Sequence, residues 1–74
     1  MTLLMKAKYW AGDVPPKDDF GRPIIDQFID GKVQVTGWAI MSPSSFRLRG
    51  VGLGIGRGQR YEKQIDGRWL RVEG

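Results

Sequence analysis

Apolar and polar residues alternate most clearly near the two ends of the chain. Met5-Lys-Ala-Lys-Tyr9 places an apolar residue at every second position, which is typical of a half-buried β-strand. Near the other end, Arg60–Gln64 and Trp69–Glu73 flank Asp66-Gly67, a pair that favours a two-residue hairpin turn. The pattern therefore predicts an N-terminal strand and a C-terminal β-hairpin.

The predicted hairpin turn also determines which side chains share a face. With Asp66-Gly67 at the centre of the turn, Tyr61 faces the core and Trp69 lies on the opposite, exposed face. Each cross-strand ion pair contributes a few tenths to about 1 kcal/mol. The register predicts two such pairs, Glu62 with Arg71 and Arg60 with Glu73.

The segment 24–30 fits two different structures. Its apolar residues at 24, 25, 28 and 29 share one helical face, between Pro23 and Gly31, which suit a helix start and end. Alternatively, Asp30-Gly31 forms a hairpin turn before the alternating residues that follow it. Both alternatives stay open, and in both of them we expect a strand over 32–41, bent or bulged at Gly37.

The run Ser42-Pro-Ser-Ser-Phe46 is typical of a helix start. Ser42 suits the N-cap and Pro43 the first helical position. The run predicts one short helical turn that Gly50 ends.

Glycine occupies every second position from Gly50 to Gly58. In a strand, Val51, Leu53 and Ile55 would lie on one face and only glycines on the other. A glycine face allows close approach, so it predicts aromatic rings from a neighbouring strand, a flat platform for a ligand, or a self-pairing edge. The segment is not a phosphate-binding motif, because no strand-to-helix context surrounds it.

The composition excludes several kinds of chemistry. The 74 residues include no Cys and no His, which excludes Ser-His and Cys-His catalytic pairs and the common zinc sites. We expect a non-enzymatic chain without catalytic residues, cofactor or metal. The fold expected over residues 1–74 is a single small domain, mainly β or α+β. It is an antiparallel sheet or an SH3-like or OB-like partial barrel, with at most one or two short helical turns.

Hydropathy gives no membrane signal. No segment reaches the roughly 18 apolar residues that a span needs, and 1–5 is too short for the apolar part of a signal peptide. We therefore expect a cytoplasmic protein with no membrane partner.

The net charge of +4 arises from the C-terminal part alone. Residues 1–46 hold five Lys and Arg against five Asp and Glu, whereas residues 47–74 hold seven against three. Six of those seven cations are Arg, which is suited to planar contacts with phosphate or carboxylate. This asymmetry favours an acidic partner.

Two functions from different classes fit these observations. The first is protein interaction or self-association, because the chain has more large aromatics than so small a domain can easily bury. The alternative is nucleic-acid binding, with arginines on phosphates and an exposed Trp69 stacked on a base. The candidate partner-binding residues are Arg47, Arg49, Gly52, Gly54, Gly56, Arg57, Arg68 and Trp69.

A third hypothesis is a small-ligand or hard-cation site. Carboxylates gathered in one pocket suit such a cation. The candidates are Asp18, Asp19, Asp26 and Asp30.

Overall fold

The computed structural model describes residues 7–35 and 37–74, and its framework is one antiparallel sheet with a short helix. The elements are β1 (Gln27–Lys32), β2 (Trp38–Met41), α1 (Pro43–Arg49), β3 (Gly58–Lys63) and β4 (Trp69–Glu73). The strand order is β2-β1-β3-β4. The mainly-β class is confirmed, and the sheet is open, with β2 and β4 at its edges.

The segment 24–30 contains neither the predicted helix nor the predicted hairpin turn. Strand β1 runs through Asp30-Gly31 to Lys32, and the chain reverses after Lys32, since the Val33 N–H donates to the Gly37 carbonyl at 3.1 Å. The single strand expected over 32–41 is therefore wrong as well. The neighbours Phe28 and Ile29 are both fully buried, because both faces of the sheet are covered at this point. A strand covered on both faces carries adjacent apolar residues, and such a pair also fits one face of a helix.

Gly31 serves close packing and not a turn. A Cβ at this position would lie 2.9 Å from the carbonyl oxygen of Arg57. The next residue, Lys32, donates its N–H to that same carbonyl at 2.7 Å. A glycine inside a strand allows this approach of a second backbone, so the Asp-Gly pair has a role that its local sequence does not reveal.

Helix α1 forms as the sequence predicts, at seven residues. The Ser42 hydroxyl accepts the Ser45 N–H at 3.2 Å, Pro43 begins the helix, and the Gly50 N–H donates to the Phe46 carbonyl at 2.9 Å. No helix in the described part of the chain is long and apolar enough to cross a membrane.

One face of the sheet, here called the helix face, carries the aliphatic core. Ile29 and Met41 are fully buried there, and Ala39 is 8 % exposed. Phe46 of α1 packs against these residues, as do the partly buried Val33 and Leu53. The helix thus covers one side of a sheet that is only four strands wide.

The opposite face, here called the aromatic face, carries a cluster of rings. The buried Phe28 ring stacks on Tyr61 with 5.0 Å between centroids. Trp10 meets Phe28 edge-on at 5.1 Å, and Trp69 meets it at 5.2 Å. Burial, with the nearby charge of Asp30, raises the pKa of Tyr61, and Arg71 partly opposes this. We call Trp10, Phe28, Tyr61 and Trp69 the aromatic cluster.

The C-terminal hairpin forms, but its loop is one residue longer than predicted. The Gly67 N–H donates to the Gln64 carbonyl at 2.9 Å, and the Gln64 N–H donates to the Arg68 carbonyl at 2.7 Å. Gly67 has a φ of +89°, a value that favours glycine. This geometry is typical of a three-residue hairpin loop whose last residue is left-handed.

The longer loop shifts the strand register by one residue. Lys63 pairs with Trp69 and Tyr61 with Arg71, and such a slip turns side chains to the other face. The prediction that Trp69 is exposed is therefore wrong, because its ring is half-buried against Phe28.

The two predicted ion pairs have different outcomes. An irregularity between Arg60 and Tyr61 restores the register, so Arg60 opposes Glu73, with Nε 3.2 Å from Oε1. Glu62, however, opposes Leu70 and accepts a hydrogen bond from Gln27 at 3.3 Å. The predicted pair of Glu62 with Arg71 is absent from the described residues.

The predicted strand over 5–9 lies partly outside the described residues. Within them, Tyr9 forms a single antiparallel bridge to Leu70. The Trp10 N–H donates to the Trp69 carbonyl at 2.9 Å, and the Arg71 N–H donates to the Lys8 carbonyl at 2.8 Å. Residues 8–10 thus cover the outer edge of β4 without forming a strand of their own.

Candidate functional site

Residues 51–57 of the glycine-alternating segment form a loop and not the strand considered above, and Gly58 begins β3. The Gly54 N–H donates to the Gly58 carbonyl at 2.8 Å, and the Gly58 N–H donates back to the Gly54 carbonyl at 3.0 Å. Ile55, at the tip of this turn, is 98 % exposed, so the apolar residues of the segment share no buried face. With glycine at alternate positions, too few side chains remain to pack a strand.

The side chain of Arg57 covers part of the glycine segment. A Cβ built on Gly54 would lie 3.1 Å from Arg57 Nη2, and one built on Gly52 would lie 3.7 Å from Nη1. A guanidinium from the same loop therefore occupies the place where we expected an aromatic ring or an open platform. Gly56 lies in the exposed turn, with no atom within 4 Å of a Cβ built on it.

The candidate partner-binding residues lie at two opposite ends of the sheet. Arg47 and Arg49, both on the last turn of α1, and the loop 52–57 lie at the upper end, where β1 ends at Lys32. Arg68 and Trp69 lie at the lower end, where Arg68 belongs to the turn between β3 and β4 and Trp69 begins β4. Strand β3 has six residues and separates the two groups by roughly 20 Å at about 3.4 Å per residue. The structure does not bring the eight residues into one surface.

At the lower end, both candidate residues already have partners. Arg68 Nε lies 2.8 Å from Asp66 Oδ2, and its guanidinium lies 4.1 Å from the centroid of the Tyr9 ring. The backbone and side-chain hydrogen bonds from Arg68 lower the pKa of the Asp66 carboxyl. Trp69 packs in the aromatic cluster, so this end offers less for a partner to contact than the sequence predicted.

A groove of about 280 Å³ at the upper end was not predicted. It lies between the loop 18–20, residues 33–35 and the last turn of α1, beside the outer edge of β2. We call it the β2 groove. Of the predicted partner-binding residues, it contains Arg49 alone. Its lining residues are Asp19, Phe20, Val33, Gln34, Val35, Trp38, Ala39, Leu48 and Arg49.

The β2 groove holds four large apolar residues that remain exposed. Val35 is 89 % exposed, Leu48 60 %, Trp38 48 % and Phe20 36 %. Single exposed apolar residues are ordinary on protein surfaces, but several in one depression are typical of an interaction site. Trp38 keeps its indole N–H paired, since Nε1 donates to Asp30 Oδ1 at 2.7 Å. Because Asp30 lies on the aromatic face, this bond holds the Trp38 ring on that side of β2, where about half of the residue stays open to solvent.

One wall of the groove is fixed by the buried carboxylate of Asp18. Its Oδ1 accepts the N–H groups of Phe20 and Arg22, both at 2.9 Å, and its Oδ2 accepts the Ser42 N–H at 2.8 Å. Burial alone would raise the pKa of Asp18, but hydrogen bonds from Ser45, Ser42 and Arg22 hold it well below its usual range. A charged Asp18 therefore ties the loop that carries Phe20 to the start of α1.

The four aspartates of the cation hypothesis do not converge. Asp18 is buried among backbone donors, Asp19 accepts the Ile40 N–H at 2.8 Å, and Asp30 accepts Trp38 Nε1. Within residues 7–35 and 37–74, no three metal-ligating side chains form a group. The β2 groove contains only one of the four carboxylates, that of Asp19.

Comparison of the chain with protein families, with curated proteins and with solved structures gives no match. The function is therefore inferred from the geometry of the site.

Proposed function

We propose that this chain is a non-enzymatic protein-interaction module that docks a segment of a protein chain in the β2 groove. The observation that carries the proposal is the exposure of Phe20, Val35, Trp38 and Leu48 around one depression. Grooves of this kind accept apolar anchor side chains, which provide most of the binding energy in protein interfaces.

The size of the groove favours transient binding. Burying one large apolar side chain contributes about 1.5–3 kcal/mol, and association costs several kcal/mol in lost freedom of motion. A depression of about 280 Å³ holds few such side chains. The proposed role is thus that of an accessory protein that engages and releases its partner.

Association of two copies through the sheet edges has less support than docking in the groove. The Asp19 N–H donates to the Ile40 carbonyl at 3.0 Å, and the Asp19 carboxylate accepts the Ile40 N–H at 2.8 Å, which occupies part of the β2 edge. Residues 8–10 lie along the β4 edge. These contacts leave less of either edge open to a further strand, so the groove has more support than the edges as a contact surface for a second copy.

Nucleic-acid binding has less support, because its predicted residues are divided between two ends of the sheet. Trp69 packs inside the molecule and Arg68 pairs with Asp66. This alternative predicts that a labelled single-stranded oligonucleotide binds with an affinity that falls linearly with salt in a log–log plot. It also predicts that Arg57→Ala weakens this binding.

Site-specific photocrosslinking tests the proposed function. A benzophenone amino acid is placed at position 48 in the groove and, in a matched control, at position 65 at the other end of the sheet. Leu48 and Ile65 are both exposed aliphatic residues, at 60 % and 110 %. We expect a discrete covalent adduct from position 48 alone, either with a second copy in purified protein or with a partner in the cells that make the chain. Equal adducts from both positions, or none from position 48, would contradict the proposal.

A further inference from the structure

The charges around the β2 groove are not equally available to a partner. Among the described residues that line the groove, Arg49 is the one cation and Asp19 the one anion. The N–H and the carboxylate of Asp19 both form hydrogen bonds with Ile40, which hold this anion against the edge of β2. No salt bridge joins Arg49 to a carboxylate within residues 7–35 and 37–74. Asp19 keeps its negative charge at the edge of β2, and Arg49 is the cation beside the apolar residues of the groove.

Arg49 is also held in a defined position. Its guanidinium carbon lies 4.6 Å above the centroid of the Phe20 ring, which forms the opposite wall of the groove. The Arg49 carbonyl accepts the Gln34 N–H at 2.9 Å, which fixes its backbone against residues 33–35. A planar guanidinium stacked on a ring keeps its edge N–H groups available for a carboxylate in a two-point contact.

The volume of the groove limits what it can accept. A cavity of about 150 Å³ holds a benzene-sized group, and pockets for whole small molecules occupy about 300–1,000 Å³. The volume of about 280 Å³ therefore suits one bulky side chain with part of a neighbouring residue.

We infer that the β2 groove recognises a short acidic peptide segment, in which a bulky apolar side chain enters the groove and an adjacent Asp or Glu pairs with Arg49. The inference rests on the proposed function and adds the chemistry of the partner to it. Phe20, Val35 and Leu48 receive the apolar side chain, and Arg49 selects for the carboxylate.

A phage-displayed library of random dodecapeptides tests the inference while the natural partner is unidentified. The library is selected on the immobilised chain and depleted on Leu48→Gln, which removes an apolar wall but keeps a helix-forming residue. We expect the retained peptides to carry Leu, Ile, Phe or Trp with Asp or Glu within two positions. Retained peptides that pair the apolar residue with Lys or Arg would overturn the inference and leave the proposed function standing.

A synthetic peptide from the selection then tests the role of Arg49. We expect Arg49→Ala to weaken its binding about tenfold or more, as loss of a charge-assisted contact predicts. Arg22→Ala is the matched control, since it removes the same charge from an exposed residue that does not line the groove, and we expect less than a twofold change. Arg49→Glu should instead bind the peptide more tightly when its Asp or Glu is replaced by Lys. Equal effects of Arg49→Ala and Arg22→Ala would show only a general charge effect and would overturn the inference.

The failure of the proposed function has a different signature. In that case the chain and Leu48→Gln retain the same peptides, or neither retains any. Far-ultraviolet circular dichroism of each variant establishes that it is folded before binding is compared.

Discussion

The two ends of the sheet use their large apolar side chains in opposite ways. At the lower end, the rings of the aromatic cluster contact one another at 5.0–5.3 Å, and Phe28 is fully buried. At the upper end, Trp38 and Leu48 line the β2 groove while 48 % and 60 % exposed. The number of aromatics in a sequence therefore does not indicate which of them form the core. The comparison predicts that substitutions at the lower end change folding and that substitutions in the groove change binding.

The largest expected effect is that of Phe28→Ala at the lower end. Removing a fully buried ring costs about 3–5 kcal/mol in the free energy of unfolding, because of lost burial and the cavity that remains. A domain of this size has little stability to spare. Urea unfolding followed by circular dichroism should show a variant that is largely unfolded in buffer. Phe28→Leu, which keeps much of the volume, should cost less than half as much. A urea unfolding midpoint for Phe28→Ala equal to that of wild type would contradict the stabilising role of the aromatic cluster.

The second prediction concerns Asp18, which joins the groove to the fold. Asp18→Asn leaves the shape almost unchanged, but the amide N–H₂ cannot accept the backbone N–H groups that both carboxylate oxygens receive. We expect a loss of about 2–3 kcal/mol in stability, as for buried hydrogen bonds to a charged group.

The pH dependence of that loss follows from the lowered pKa of Asp18. An unfolded Asp has a pKa near 3.9, so the unfolded chain takes up the proton first as the pH falls. The stabilisation by Asp18 is thus complete above about pH 5 and declines below it. Urea titrations at pH 7 and pH 2.5 should show a smaller difference between wild type and Asp18→Asn at the lower pH. An equal difference at both pH values would contradict the assignment.

The third prediction tests the hairpin loop that directs Trp69 into the aromatic cluster. Gly67→Ala places a side chain at a φ of +89°, which costs about 1–2 kcal/mol. Gly67→Asn should cost less, because Asn tolerates left-handed backbone better than Ala. Thermal unfolding of the two variants should rank them in this order. Equal stability of wild type and Gly67→Ala would instead favour a loop in which Gly67 is not left-handed.

Local signals predicted the elements that depend on neighbouring residues. The cap at Ser42, the proline at position 43 and the glycine at position 50 specify α1 within nine residues, and the structure confirms it. The hairpin between β3 and β4 was predicted for the same reason. Its register was not, because a loop of two or three residues depends on small differences in backbone energy that Asp66-Gly67 does not decide alone.

The remaining errors concern contacts between residues that are distant in sequence. Gly31 resembles a turn residue, but its role depends on the approach of Arg57 from another segment. The β2 groove is similar, since Phe20, Val35 and Leu48 come from three separate segments. Each of these residues is an isolated apolar position whose sequence context indicates no common site. Of the lining residues, only Arg49 and Asp19 were predicted as candidates, Arg49 for binding a partner and Asp19 for binding a cation.

The smallest effect on folding is expected for a substitution in the groove. Such a variant tests the difference between the two ends most directly, because it should change binding and leave stability unchanged. Leu48→Gln removes an exposed side chain from α1, and such surface changes alter the free energy of unfolding by about 0.5 kcal/mol or less. The same variant should lose the crosslinked adduct formed at a second groove position, Val35, when the benzophenone is placed there. A loss of more than about 1 kcal/mol in urea unfolding would show that Leu48 packs as part of the core. Unchanged stability with lost crosslinking would instead show that binding and folding depend on different parts of one sheet. Folding would then depend on the aromatic cluster, and binding on the groove beside the β2 edge.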